Sequence, residues 1–271
     1  MSFQLLVNTA GLMVGADAPE LPGLGDFYPE PILFAGTAFA LDRIMLIRLL
    51  SLFTVTVLFA VGASRAKLVP GRFQSALELV LDFARVQIVE SVIESPKMAR
   101  RYTPEITVIF LGVFALNITG VLPFMNIAGS SVVGAPIVFA IFAYVLFIGA
   151  GIAQQGFFKF FKSQLFPSGV PWPIYFLVTP IEAFSTFVVR PATLIIRLLA
   201  NMISGHILLA LTFFGTHYLF FYAQGYIQAV GALTLLASLF VIALELLVAV
   251  VQAYVFAMLT SVYIQLSVSE H

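Results

Sequence analysis

Apolar residues fill most of the chain, and the pattern is interrupted in only a few places. Runs at residues 41–63, 103–125 and 133–153 are each long enough to cross a membrane as a helix, since a hydrocarbon layer about 30 Å thick needs about 20 apolar residues. Two later runs, residues 173–214 and 226–267, are about twice that length, or about 60 Å each at 1.5 Å per helical residue. Neither holds a turn signal at its midpoint, and Pro191 can kink a helix without reversing it. Each is therefore either a broken pair of half-spans or one steeply tilted helix.

Residues 71–98 carry a different pattern. Leu77, Val80, Leu81 and Ala84 fall on one stripe at helical period, and Glu78, Asp82 and Arg85 on another. This predicts an amphipathic helix lying along the membrane surface. A helix packed on soluble partner chains is the other reading. Residues 1–40, with Asp17, Glu20, Asp26 and Glu30 among prolines and glycines, read as a segment outside the hydrocarbon. Their lack of Lys and Arg argues against a secretory signal peptide, which needs a positive leading region. The expected fold is an all-α integral membrane protein forming one membrane domain. It has five membrane passes plus one surface amphipathic helix, and its last two helices are long.

Composition strengthens the membrane reading. The 271 residues are 61% hydrophobic and 10% charged, against about 25% charged in soluble domains, and mean hydropathy is +1.06. The chain has no cysteine, which excludes disulfides and thiolate metal sites. Its three histidines have no metal-ligand spacing. No Gly-x-x-x-x-Gly-Lys phosphate loop is present, so the chain does not bind ATP through one. No cofactor, metal or nucleic acid is expected as a ligand.

Charge distribution sets the orientation. Seven of the thirteen basic residues lie in 64–101, which marks that segment as cytoplasmic. The acidic N-terminal segment is then outside, Lys159 and Lys162 return to the cytoplasm, the aromatic loop 215–225 is outside, and the C-terminus is cytoplasmic. Arg43 and Arg48, near the start of the first span, can snorkel to the interface. Trp172 suits an interfacial anchor.

The candidate chemistry lies in residues 180–211, an apolar stretch that nonetheless carries Glu182, Arg190, Arg197, Asn201 and His206. A charge at the bilayer centre costs about 2.5–3.5 kcal/mol on insertion scales, so such residues mark polar pathways or partner charges. Arg190 and Arg197 are about two turns apart and share a face. Asn201 is one turn beyond Arg197. Thr193, Ala200 and Ser204 surround Arg197 with small side chains, which lets another helix approach closely. His206 points to nearly the opposite side. In the last run, Glu245 and Gln252 share a face with Ala249 and Ala253, so two small polar faces are expected to meet, with Gln252 close to Arg197. Bland readings stand beside these: Arg197 as half of an ion pair with Glu182 or Glu245, Glu182 paired with Arg190, and Gln252, Asn117 or His206 as satisfied packing residues.

Three stretches resemble subunit a of F-type ATP synthases: LNITGVLPF at residues 116–124, RLLANMISGH at 197–206 and ELLVAVVQAYVFAMLTSVYIQ at 245–265. The C-terminal SEH resembles the bacterial members, and PEPILFAG at residues 29–36 the actinobacterial ones. The resemblance implies a bacterial plasma-membrane protein, non-catalytic alone, that conducts H⁺ through two half-channels to and from the carboxylates of a rotating ring of subunit c. It implies a tilted hairpin for the two long runs, and the c-ring, peripheral-stalk subunit b and the bilayer as partners. It assigns Arg197 as the fixed charge that blocks a direct leak, with Gln252 beside it, and His206 with Glu245 to the outer half-channel. Asn201 and Asn117 would help hydrate that route, and Glu182, with Ser185, would line the inner one. A self-contained proton-coupled transporter is the rival, but such proteins often carry related halves, and no internal repeat is visible. A non-conducting membrane scaffold ranks last, because it leaves the deeply placed ionisable groups unexplained.

Overall fold

The computed structural model describes residue 32, residues 41–122, residue 125, and residues 127–166, 174–222 and 226–268. The expectations for residues 1–31, for Trp172 and for the SEH ending lie outside these. Among the described residues regular structure is helical, apart from one backbone bridge in which the Ile32 N–H donates to the Leu41 carbonyl at 2.9 Å.

Helix α1 spans Arg43–Ser64 and starts on Asp42, whose carboxylate accepts from the Met45 N–H at 2.7 Å. That is an ordinary side-chain cap for an orphan amide. Arg48 does not snorkel free: its Nε donates to the Gly129 carbonyl at 2.6 Å and an Nη donates to that of Val132 at 3.0 Å. Arg43 donates to the Met125 carbonyl at 3.1 Å. Guanidinium donors here satisfy carbonyls of a loop that makes no regular ladder.

Helix α2, Arg72–Asp82, continues as a π-helical stretch, Phe83–Glu90. The α2 part has no buried residue, whereas Ala84, Ile88 and Val89 of the wider stretch are buried. This helical element thus stops at Glu90, short of the expected residue 98. A new helix, α3, runs Pro96–Ile118. Pro96 suits a first helical turn, where its missing N–H costs nothing. The apolar run expected at 103–125 is therefore displaced toward the N-terminus. Lys97, Arg100 and Arg101 hide the helix start from hydropathy, and Thr119 ends it. The Thr119 hydroxyl donates to the Leu116 carbonyl at 2.7 Å and accepts from the Gly129 N–H at 3.0 Å, turning the chain back.

Helix α4 covers Gly134–Gln155 and α5 covers Phe157–Leu165. Gly156 between them has φ +81°, a conformation glycine adopts without steric cost. Helix α6, Tyr175–Phe184, passes through a π-helical turn, Ser185–Val189, into α7, Arg190–Phe221. Pro191 explains that turn: it lacks an N–H and its ring clashes with the carbonyl four residues back, Phe187, inside the widened segment. Helix α8 spans Tyr226–Val268 without a break. Neither long run is a broken pair of half-spans: each is one continuous helical path, of 47 and 43 apolar-rich residues.

Among the described residues, four helical segments are long and apolar enough to cross a membrane: α1, α4, the α6–α7 path and α8. The core lies where α3, α4 and α7 pack around α8. Ala249, Ala253, Ala257 and Ser261 recur at four-residue spacing along α8, and all are buried. Such a smooth ridge allows close helix approach where lipid supplies no hydrophobic drive. Ile106, Ile109 and Val113 of α3, with Leu194 and Leu198 of α7, complete the core.

Candidate functional site

Helices α7 and α8 make the most extensive contact in the molecule, and a polar bond crosses it. Asn201 Nδ2 donates to Gln252 Oε1 at 2.8 Å. Gln252 is 4% exposed, and its Nε2 has no hydrogen-bond partner. The two small polar faces do meet, but the bond to Gln252 comes from Asn201 and not from Arg197.

Arg197 points elsewhere. It is exposed, as are Thr193, Ala200, Asn201 and Ser204 on the same side of α7. The single ion pair among the described residues is Arg85 with Glu90 at 2.8 Å. Arg197 is therefore locked to neither Glu182 nor Glu245, and the structural-pair reading fails. An unpaired guanidinium on an apolar helix face is costly in a membrane.

Arg190, expected from its spacing to share a face with Arg197, is instead drawn inward. Its Cζ lies 5.7 Å from the centre of the Tyr263 ring, a cation–π contact, and one Nη is buried without a hydrogen-bond partner. The Glu182–Arg190 pair does not form. Beside it, the Tyr144 hydroxyl donates to the Thr186 carbonyl at 2.9 Å inside the π turn. Glu182 itself is half-buried on α6.

His206, Glu245, Asn201 and Asn117 line one cavity of about 160 Å³, with Gly120, Ala128 and Ser204 also on its wall. It is large enough to admit several waters, and Asn117, Asn201, His206 and Glu245 supply polar partners among otherwise largely apolar walls. Glu245 Oε1 is buried with no hydrogen-bond partner, and so is Asn117 Nδ2. The Glu245 carboxyl rests over Gly205, where an added Cβ would stand 2.9 Å from Oε1. Asn117 is fully buried and its Oδ1 accepts from the Ser130 hydroxyl. Glu182 is absent from this wall: 24 residues separate it from His206, about 36 Å along a helix.

Sequence reasoning missed Gly205 and Ser130. Gly205 adjoins His206 in the motif, and a glycine inside a helical pattern signals close approach. Ser130 gave no local signal, because its partner lies thirteen residues away in the preceding helix.

These features define a multi-pass helical membrane protein whose two long helices, with α3, line a cavity bearing polar side chains and which carries an unpaired arginine outward. Its sequence matches the ATP synthase A chain family over residues 44–265, and the chain belongs to that family. It is similar to the ATP synthase subunit a of Rhodococcus erythropolis, 44% identical over 94% of this chain and 92% of that one. It is also similar to those of Pseudarthrobacter chlorophenolicus, 35% identical over 90% and 91%, and Streptomyces lividans, 32% identical over 92% and 88%. The actinobacterial likeness of the loops agrees with these relatives.

Proposed function

We propose that this chain is the proton-conducting stator of a rotary F-type ATP synthase, with Arg197 facing a ring of subunit c. The observation that carries the reading is the division of labour on α7. It carries an exposed guanidinium without an internal partner at Arg197 and, within the next three turns, opens through Asn201, Ser204 and His206 into the cavity bearing Glu245.

In this reading a proton enters from outside through the His206–Glu245 cavity, hydrated by Asn201 and Asn117, and neutralises a ring carboxylate. The ring turns, and the proton leaves on the cytoplasmic side near Glu182 and Ser185. Arg197 stands between the two routes and attracts each ionised ring carboxylate in turn. Guanidinium suits the role because it holds its proton where a lysine would lose one. Gln252 holds the hairpin closed behind it through Asn201. The driving energy is about 2.3 kcal/mol per charge per 100 mV, and the chain performs no chemistry on nucleotides.

The same reading gives α3 the fifth pass. It lays α2 on the cytoplasmic surface, tilts the α7–α8 hairpin, and puts the N-terminus outside and the C-terminus inside a bacterial plasma membrane. Subunit b is the expected stalk partner. The test is Arg197→Ala in inverted membrane vesicles holding the whole synthase. Proton-driven ATP synthesis is expected to vanish while the complex stays assembled, and retained synthesis would refute the assignment. A self-contained transporter is not favoured, since it gives Arg197 no partner; such a protein would move solute when reconstituted without a ring.

A further inference from the structure

Away from the hairpin, α1, the end of α2 with the π-helical stretch after it, and α3 line an apolar groove of about 770 Å³. Leu52 and Phe59 of α1 form one wall and Leu111 of α3 the other, and Phe139 of α4 closes one end. The opposite end opens beside Arg85, Thr103 and Pro104, which also line an adjoining recess of about 280 Å³ with Arg100. The groove thus has an apolar trough and a mouth bearing two arginines, one of them paired with Glu90.

Its length identifies the kind of occupant. From Thr103 to Gly112 along α3 is nine residues, about 14 Å. That is the depth of one leaflet, half of a hydrocarbon core about 30 Å thick. A transmembrane helix from a partner would need a trough about twice as long. The mouth sits in the segment 64–101, where seven basic residues face four acidic ones. Arg85 gives only its Nε to Glu90, leaving the terminal nitrogens of its fork available, and Arg100 is exposed. Asp82 also lines the groove, and the surrounding basic excess outweighs it. Arginine forks match phosphate oxygens in geometry and charge.

We propose that this groove is a binding site for one anionic glycerophospholipid, its phosphate held by Arg85 and Arg100 and an acyl chain lying in the trough toward Phe139. The bound lipid seals the space between α1 and α3 and fixes the surface element against the membrane face.

Photolabelling of the intact complex tests this. The complex is reconstituted in phosphatidylcholine vesicles containing phosphatidylglycerol with a diazirine near the end of one acyl chain, irradiated, and the adducts are mapped on this chain. Adducts are expected around Gly112 and Phe139, and phosphatidylcholine carrying the same diazirine should label these positions far less. Charge near a membrane surface contributes about fivefold in affinity per arginine, so R85Q and R100Q should each lower the labelling by about that factor. V108W blocks the trough while leaving both arginines, and should abolish the adducts in a complex that assembles normally. The proposal is overturned by equal labelling from both lipids. It is also overturned by adducts that survive V108W, or by a trough that stays unlabelled in the wild-type complex because a partner helix shields it. Displacement of the labelled lipid by inorganic phosphate alone would show a bare anion recess and would equally overturn it.

Discussion

The Glu245 carboxyl occupies the space that a side chain at Gly205 would take. A Cβ built on Gly205 stands 2.9 Å from Oε1 and 3.4 Å from the carboxyl carbon. The glycine keeps one wall of the cavity bare so that an acid on α8 can reach across to α7, next to His206.

This gives the first prediction, on G205A. Alanine in a helix interior gains about 1 kcal/mol over glycine, whereas an added methyl in a filled site costs about 1–3 kcal/mol. The net cost is therefore at most about 2 kcal/mol, small enough for the complex to assemble. The carboxyl must move, however, and ATP-driven proton pumping in vesicles should fall several-fold. Full pumping by G205A would show that the position of Glu245 is immaterial.

The cross-hairpin bond between Asn201 and Gln252 supports a second prediction. Interhelical hydrogen bonds in membranes average about 0.6 kcal/mol and reach about 1.7. N201A and Q252A should each destabilise the assembled chain by about 1 kcal/mol, and the double variant should cost less than the sum. A thermal-denaturation double-mutant cycle reads the coupling directly. Strict additivity would mean that the 2.8 Å contact contributes nothing to the hairpin.

Arg197 invites the opposite expectation for stability. Having no protein partner among the described residues, it supports no internal contact. R197A should leave stability within about 0.5 kcal/mol, as for other surface substitutions, while coupled synthesis is lost. Near-wild-type thermal denaturation with no ATP synthesis is the expected pair of results. A large loss of stability would instead show that Arg197 holds the fold together.

The elements of this fold were legible in unequal measure. Long apolar runs announced α1, α4, α7 and α8, because hydrophobic length is a local property. The face shared by Glu245, Ala249 and Gln252 could be read from helical period alone. The start of α3 could not, since Lys97, Arg100 and Arg101 depress hydropathy where the helix has already begun. Nor could the role of Arg48, whose acceptors lie 81 and 84 residues away. Pro191 signalled a disturbance but not its form, because a kink and a π turn both satisfy a missing N–H. The choice of Asn201 over Arg197 as the donor to Gln252 depends on how α7 is rotated against α8. Spacing places both residues on one side and cannot separate them.

Arg190 and Tyr263 supply the last prediction. The guanidinium lies over the ring at 5.7 Å and one of its terminal nitrogens is buried without a hydrogen-bond partner. A desolvated cation–π contact is worth about 2 kcal/mol, and its removal leaves a charge in poorer surroundings. Y263F preserves the ring face and should be neutral in thermal stability. Y263L removes the face and should lower stability by about 2 kcal/mol or more. R190Q/Y263L should recover part of that loss, because the unpartnered charge is gone. Equal destabilisation by Y263F and Y263L would locate the contribution in the tyrosine hydroxyl and remove the cation–π account.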